Sequence, residues 1–118
     1  MKEEIRKTLD SLGTSYVTES WTDGNNFYRI FSDGWCEQGG TLDTVNISTK
    51  QTVSLFKQYA TDAYKITLQN IDVNTDDINL TAHAVESKTN TSFVSENARL
   101  SGSGTDTLKV DWMTFGML

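Results

Sequence analysis

One stretch, Phe27-Tyr28-Arg29-Ile30-Phe31-Ser32-Asp33-Gly34-Trp35-Cys36-Glu37-Gln38-Gly39-Gly40, constrains the fold of this chain more than any other. It reads as a complete β-hairpin, because Asp33-Gly34 supplies the positive φ angles of a tight two-residue turn. Such a turn sets Phe31 opposite Cys36, Ile30 opposite Glu37 and Arg29 opposite Gln38. Gly39 and Gly40 then end the second strand. Tyr28, Ile30 and Trp35 share one face in this register, and Phe27, Phe31 and Cys36 share the other. A hairpin exposed on one side carries polar residues there, whereas both faces here are apolar. Two readings follow: burial within the chain's own sandwich, or one face in the core and the other against a neighbouring subunit. The second is the expectation, since exposed aromatic patches mark interfaces.

The whole chain has 118 residues, enough for one domain with a modest core. It is rich in Thr, Ser, Asn and Asp and has no proline, a mixture that favours short strands joined by polar turns. A net charge of −6 lacks the clustered Lys and Arg that phosphate contacts demand. Nucleic acid and anionic membrane surfaces are therefore not expected partners. The single Cys36 cannot form an intrachain disulfide and reads as a small buried hydrophobe. Met1-Lys2-Glu3-Glu4 shows no apolar signal run, and no stretch reaches transmembrane length. The sequons at Asn46, Asn79 and Asn90 read as chance matches in so Asn- and Thr-rich a chain, and synthesis in a bacterial cytoplasm is expected.

In residues 1–13, Ile5, Leu9 and Leu12 recur at helical spacing and Gly13 is a C-cap candidate. Two readings stand for this helix: packing on its own domain, or the last turns of a stalk coiled coil. From residue 14 to 118 the pattern is β. In Tyr64-Lys65-Ile66-Thr67-Leu68, Tyr64, Ile66 and Leu68 point inward while Lys65, Thr67 and Gln69 point out. Ile78, Leu80, Ala82 and Ala84 share a face, leaving His83 on a polar surface. Thr91–Val94 and Ala98–Leu100 read as two weak strands. In the final strand Leu108, Val110 and Trp112 oppose Met113 and Phe115. Eight to ten short strands with turn signals predict an all-β, antiparallel sandwich-like domain with a short N-terminal helix.

No constellation of catalytic residues emerges. Nucleophilic catalysis needs an oriented base, and the lone His83 reads as a surface residue. Three copies of His83 meeting on a trimer axis could hold a metal, but no second histidine supports that. Asp72-Val73-Asn74-Thr75-Asp76-Asp77 starts like a calcium loop, yet its sixth position is Asp77 and its twelfth His83. Asp33 and Glu37 could be read as paired carboxylates, but they sit in a turn and along a strand rather than across a cleft. No phosphate-binding loop, dinucleotide fingerprint or zinc spacing is present. The expectation is no enzyme, no cofactor and no metal.

The hairpin resembles the C-terminal domain of bacteriophage tail-fibre proteins. That family carries an aromatic-Tyr-Arg, a short turn, Ser-Asp-Gly-Trp, one variable residue and Glu-Gln-Gly-Gly. Phe27-Tyr28-Arg29, Ser32-Asp33-Gly34-Trp35 and Glu37-Gln38-Gly39-Gly40 match it. Val53-Ser54-Leu55-Phe56, Tyr64 to Leu68 and the aromatic Trp112 to Leu118 extend the resemblance over roughly residues 20–118. The family's proline after the motif is absent, and Ile71 to Gly104 is longer and more polar than in the family.

The resemblance implies an intertwined or side-by-side homotrimer at the distal tip of a virion tail fibre, selecting the host through a surface glycan or protein receptor. It makes Tyr28, Arg29, Asp33, Gly34, Trp35, Glu37, Gln38, Gly39 and Gly40 a structural motif. Receptor contact would fall on loops, with Asn25, Asn26, Asn74, Asp76, Asn90 and Ser103 as candidates. Two alternatives remain at this stage: a trimerisation domain without its own ligand, and a monomeric carbohydrate-binding module.

Overall fold

Short β-prone runs between polar turns fold into strands that pair almost wholly with antiparallel neighbours. The computed structural model describes residues 2–45, 50–72, 80–101 and 108–118. Helix α1 spans Glu3–Ser11. The strands are β1 Val17–Asp23, β2 Asn26–Phe31, β3 Trp35–Val45, β4 Lys50–Ser54, β5 Lys65–Asp72, β6 Leu80–Lys88, β7 Ser92–Ser101 and β8 Leu108–Met117. They form a five-stranded sheet in the order β1-β2-β3-β8-β5 and a three-stranded sheet in the order β4-β7-β6. The expected all-β class with one short helix is what the chain adopts.

Between the sheets lie Cys36, Val53, Tyr59, Tyr64, Phe93, Val110 and Trp112, all buried. Ile30, Leu42, Leu55, Ile66 and Leu68 pack around them. Much of this core is aromatic. Tyr59 and Tyr64 stack at 4.6 Å between ring centroids, and Phe93 meets Trp112 edge-on at 5.8 Å. The alternation expected for Tyr64 to Gln69 and for Val110 to Phe115 agrees with the burial of these strands.

The central hairpin differs from expectation by one residue. Its loop is Ser32-Asp33-Gly34, three residues long, closed by Gly34 N–H donating to the Phe31 carbonyl at 2.9 Å. Gly34 alone takes the left-handed conformation there, at φ 92°. A third loop residue moves the register, so Ile30 opposes Cys36, Arg29 opposes Glu37, Tyr28 opposes Gln38 and Phe27 opposes Gly39. Cys36 therefore shares the core face with Tyr28 and Ile30. Trp35 stands on the outer face with Phe27 and Phe31, the reverse of the expected grouping. Gly39 and Gly40 do not end the strand either, because β3 runs on to Val45 and pairs with β8, with an irregularity between Leu42 and Val45.

Two further expectations change. Residues 92–101 form one strand, β7, rather than two. In β6 an irregularity between Leu80 and Thr81 shifts the pairing, and His83 falls opposite Asn97. His83 is half-buried, its Nδ1 lies 2.7 Å from Oδ1 of the fully buried Asn97, and Ala84 faces solvent. The calcium-like segment after Asp72 lies outside the described residues.

Candidate functional site

The geometry of the motif strand comes from groups that hold backbone in place. Gln38 is fully buried on the core face of β3. Its Oε1 accepts from Phe56 N–H at 2.8 Å and from Lys57 N–H at 3.0 Å. Its Nε2 donates to the Lys57 carbonyl at 2.9 Å. One side chain thus satisfies three backbone groups of the segment that leaves β4, a burial that would otherwise leave them unpaired. The Tyr59 hydroxyl lies 2.8 Å from Thr114 Oγ1 and donates to the Cys36 carbonyl at 3.3 Å, tying the same segment to β3 and β8. Burial pushes the Cys36 thiol up to about 11 and the Tyr64 hydroxyl up to about 12.

Gly39 and Gly40 make room for rings. A Cβ on Gly39 would lie 2.6 Å from the Trp112 carbonyl and 2.7 Å from the Phe27 ring. A Cβ on Gly40 would lie 2.5 Å from Asn26 Oδ1 and 3.1 Å from Trp112 Nε1. Phe27 therefore crosses the strand on the outer face and Trp112 on the inner face. Asp33 Oδ1 accepts from Trp35 N–H at 3.0 Å and fixes the turn. Arg29 and Glu37 face each other across β2 and β3. Gln38, Gly39, Gly40 and Asp33 thus hold backbone and ring positions around the hairpin.

Two surfaces stand out. The first is the outer face of the five-stranded sheet. Register places Phe27, Phe31, Trp35, Met113, Phe115 and Met117 together on it. Trp35 and Phe115 lie 6.1 Å apart by ring centroid, and Met117 is exposed. Phe27, Phe31, Trp35, Met113 and Phe115 are half-buried. This face carries two grooves of about 250 and 350 Å³, one beside Phe27 and Met113 and one between Trp35, Phe115 and the Tyr59–Tyr64 segment.

The second surface lies on the opposite side, where the small sheet stops short of β1, which is exposed along its length. Trp21 stacks on Tyr28 at 5.7 Å and meets Phe56 at 5.1 Å, and Phe56 stacks on Trp112 at 5.8 Å. Lys57 Nζ sits 4.7 Å from the centre of the Tyr28 ring and 3.0 Å from Glu19 Oε2. The Tyr28 hydroxyl also hydrogen-bonds Glu19, and this bond, together with Lys57, holds the Glu19 carboxyl below its ordinary value. Glu19, Trp21 and Lys57 belong to no motif, and Phe56 stood only as the end of the Val53–Phe56 run, so sequence reading did not bring the four together. Their only signal was Tyr28 on the motif strand.

The loop candidates separate. Asn25 is exposed in the β1–β2 turn, while Asn26 is not a loop residue: it opens β2, half-buried over Gly40. Asn90 is half-buried between β6 and β7, and its carbonyl accepts from Tyr59 N–H at 3.0 Å. Asn74, Asp76 and Ser103 lie outside the described residues. Among the described residues, no three His, Cys, Asp or Glu side chains gather as metal ligands would.

The molecule is a two-sheet antiparallel sandwich with an apolar outer face on its larger sheet. Among solved structures, the chain is similar to the N-truncated R1-type pyocin tail fibre, with a TM-score of 0.71, 12% identity and 94% of each chain covered. It is similar to a P. aeruginosa R1 pyocin fibre comprising C-terminal residues 323–701, with a TM-score of 0.71 and 13% identity over 94% of this chain and 31% of that one. The N-truncated R2-type pyocin tail fibre gives a TM-score of 0.62 and 13% identity over 98% of this chain and 43% of that one. The chain thus spans under half the length of the two longer fibre structures. No protein-family model matches the sequence, and no curated protein does. The fold is a tail-fibre fold.

Proposed function

We propose that the chain is the homotrimeric distal tip of a phage tail fibre, a virion component made in the bacterial host that contacts the host surface during adsorption. The observation that carries this reading is the apolar outer face of the five-stranded sheet. Six large apolar side chains in one layer, Phe27, Phe31, Trp35, Met113, Phe115 and Met117, make an apolar patch of the kind that marks a subunit contact. The tail-fibre fold, shared over 94% of the chain, supports the same assignment.

The polarity of the molecule fits. Tyr16 donates its N–H to Ser32 Oγ, so α1 enters beside the central hairpin turn. Strand ends Val45, Asp72, Leu80, Ser101 and Leu108 gather at the other pole. Ile5 on α1 and Leu12 just beyond its end are 51% and 71% exposed, as the apolar edge of a three-stranded stalk would be in a single chain. Receptor contact, with a glycan or a protein, falls to the connections. Exposed Asn25 and half-buried Asn90 are candidates, together with Asn74 and Asp76 between β5 and β6 and Ser103 between β7 and β8. Weak single sites, repeated over three subunits and several fibres, give firm attachment. Exchanging these connections within an intact fibre is expected to change which cells adsorb the particle. Unchanged adsorption contradicts receptor recognition and leaves a purely trimerising domain.

A further inference from the structure

The aromatic cluster opposite the subunit face is too open to be core. Trp21 and Phe56 are each 37% exposed, and Tyr28 continues the layer beneath them. At its rim a carboxylate and an ammonium, Glu19 and Lys57, are held 3.0 Å apart. We propose that Trp21, Tyr28 and Phe56, with Glu19 and Lys57, form a binding platform for a neutral pyranose sugar.

The chemistry of each group matches that ligand. The face of a pyranose ring presents C–H groups of slight positive charge, which pack on the negative face of an indole or phenyl ring. Its equatorial hydroxyls both donate and accept hydrogen bonds. An acceptor-only carboxylate and a donor-only ammonium at one rim serve both roles. A net charge of −6, with Glu19 at the site, disfavours an acidic polysaccharide and selects a neutral sugar.

The platform is built in advance of binding. Gln38 fixes the backbone of Phe56 and Lys57 by three hydrogen bonds, and Phe56 stacks on Trp112, whose indole lies against Gly40. The motif strand therefore sets the position of both stacking and charged groups. Rigid support of this kind lowers the ordering cost of binding. The inference rests on the outer-face reading of the trimer, because packing through that face leaves the platform turned to solvent.

The test follows the three tryptophan indole N–H signals of the full chain by heteronuclear NMR while glucose, galactose, N-acetylglucosamine and L-rhamnose are titrated separately. Light scattering is run on the same samples. The Trp21 signal is expected to move with at least one sugar while Trp35 stays fixed. Trp21→Leu, which keeps apolar volume, and Glu19→Gln, which keeps shape, should each weaken the apparent affinity about tenfold. A trimer in which no sugar moves the Trp21 signal overturns the platform, as does a shift confined to Trp35. A monomer whose Trp21 signal still moves keeps the platform and overturns the trimer instead.

Discussion

Gln38 shows how much a single buried amide can organise. Truncating it in Gln38→Ala orphans two N–H groups and one carbonyl in a buried setting, each worth roughly 1–3 kcal/mol before water re-enters. The expected loss is about 3 kcal/mol in denaturant unfolding, far more than a surface Gln→Ala change. Alkaline pH acts on the same layer. Burial raises Cys36 from 9.0 to about 11 and Tyr64 from 10.0 to about 12, so the folded state holds both protons more tightly than the unfolded state does. Their contribution is complete below pH 9 and is lost as pH rises through 11 and 12. Melting temperatures should therefore fall progressively above about pH 9, and Cys36→Ala should blunt the first part of that fall. A melting curve flat to pH 12 would contradict this assignment.

The strands record how far alternation can be read. Where β5 pairs with β8 no irregularity interrupts the ladder, and the inward and outward residues were legible from their spacing alone. In β6, His83 pairs with the buried Asn97 while Ala84 faces solvent, so grouping the apolar Ala82 and Ala84 as the inward face assigns His83 to the wrong side. The hairpin failed for a different reason, since Asp33-Gly34 is compatible with two loop lengths and only the longer one leaves Gly34 as the left-handed residue. The pairing of β3 with β8 joins residues about 70 apart in sequence and had no local signal. The platform around Trp21 assembles from β1, β2 and the segment after β4 and was invisible for the same reason. The glycine pair in β3 offers a direct check. Gly39→Ala drives its Cβ into the Trp112 carbonyl, which is backbone and cannot rotate away, whereas Gly40→Ala meets side chains of Asn26 and Trp112. Thermal unfolding should show Gly39→Ala as the more damaging change, by roughly 1–3 kcal/mol or more.

At the scale of the whole molecule, the chain is a blade of 58 × 29 × 19 Å. Its radius of gyration is 17.6 Å, well above the roughly 13 Å of a compact 100-residue domain. A narrow sandwich has little interior for its length, and covering the outer face with other copies would supply the missing apolar contact. Met113→Lys places a charge in that layer and should yield folded monomers, with a native circular dichroism spectrum and a melting temperature independent of protein concentration. The most direct measurement is the solution mass of the unmodified chain by light scattering at micromolar concentration. The account predicts three times the 13.2 kDa chain mass, and a particle of 13.2 kDa would contradict it.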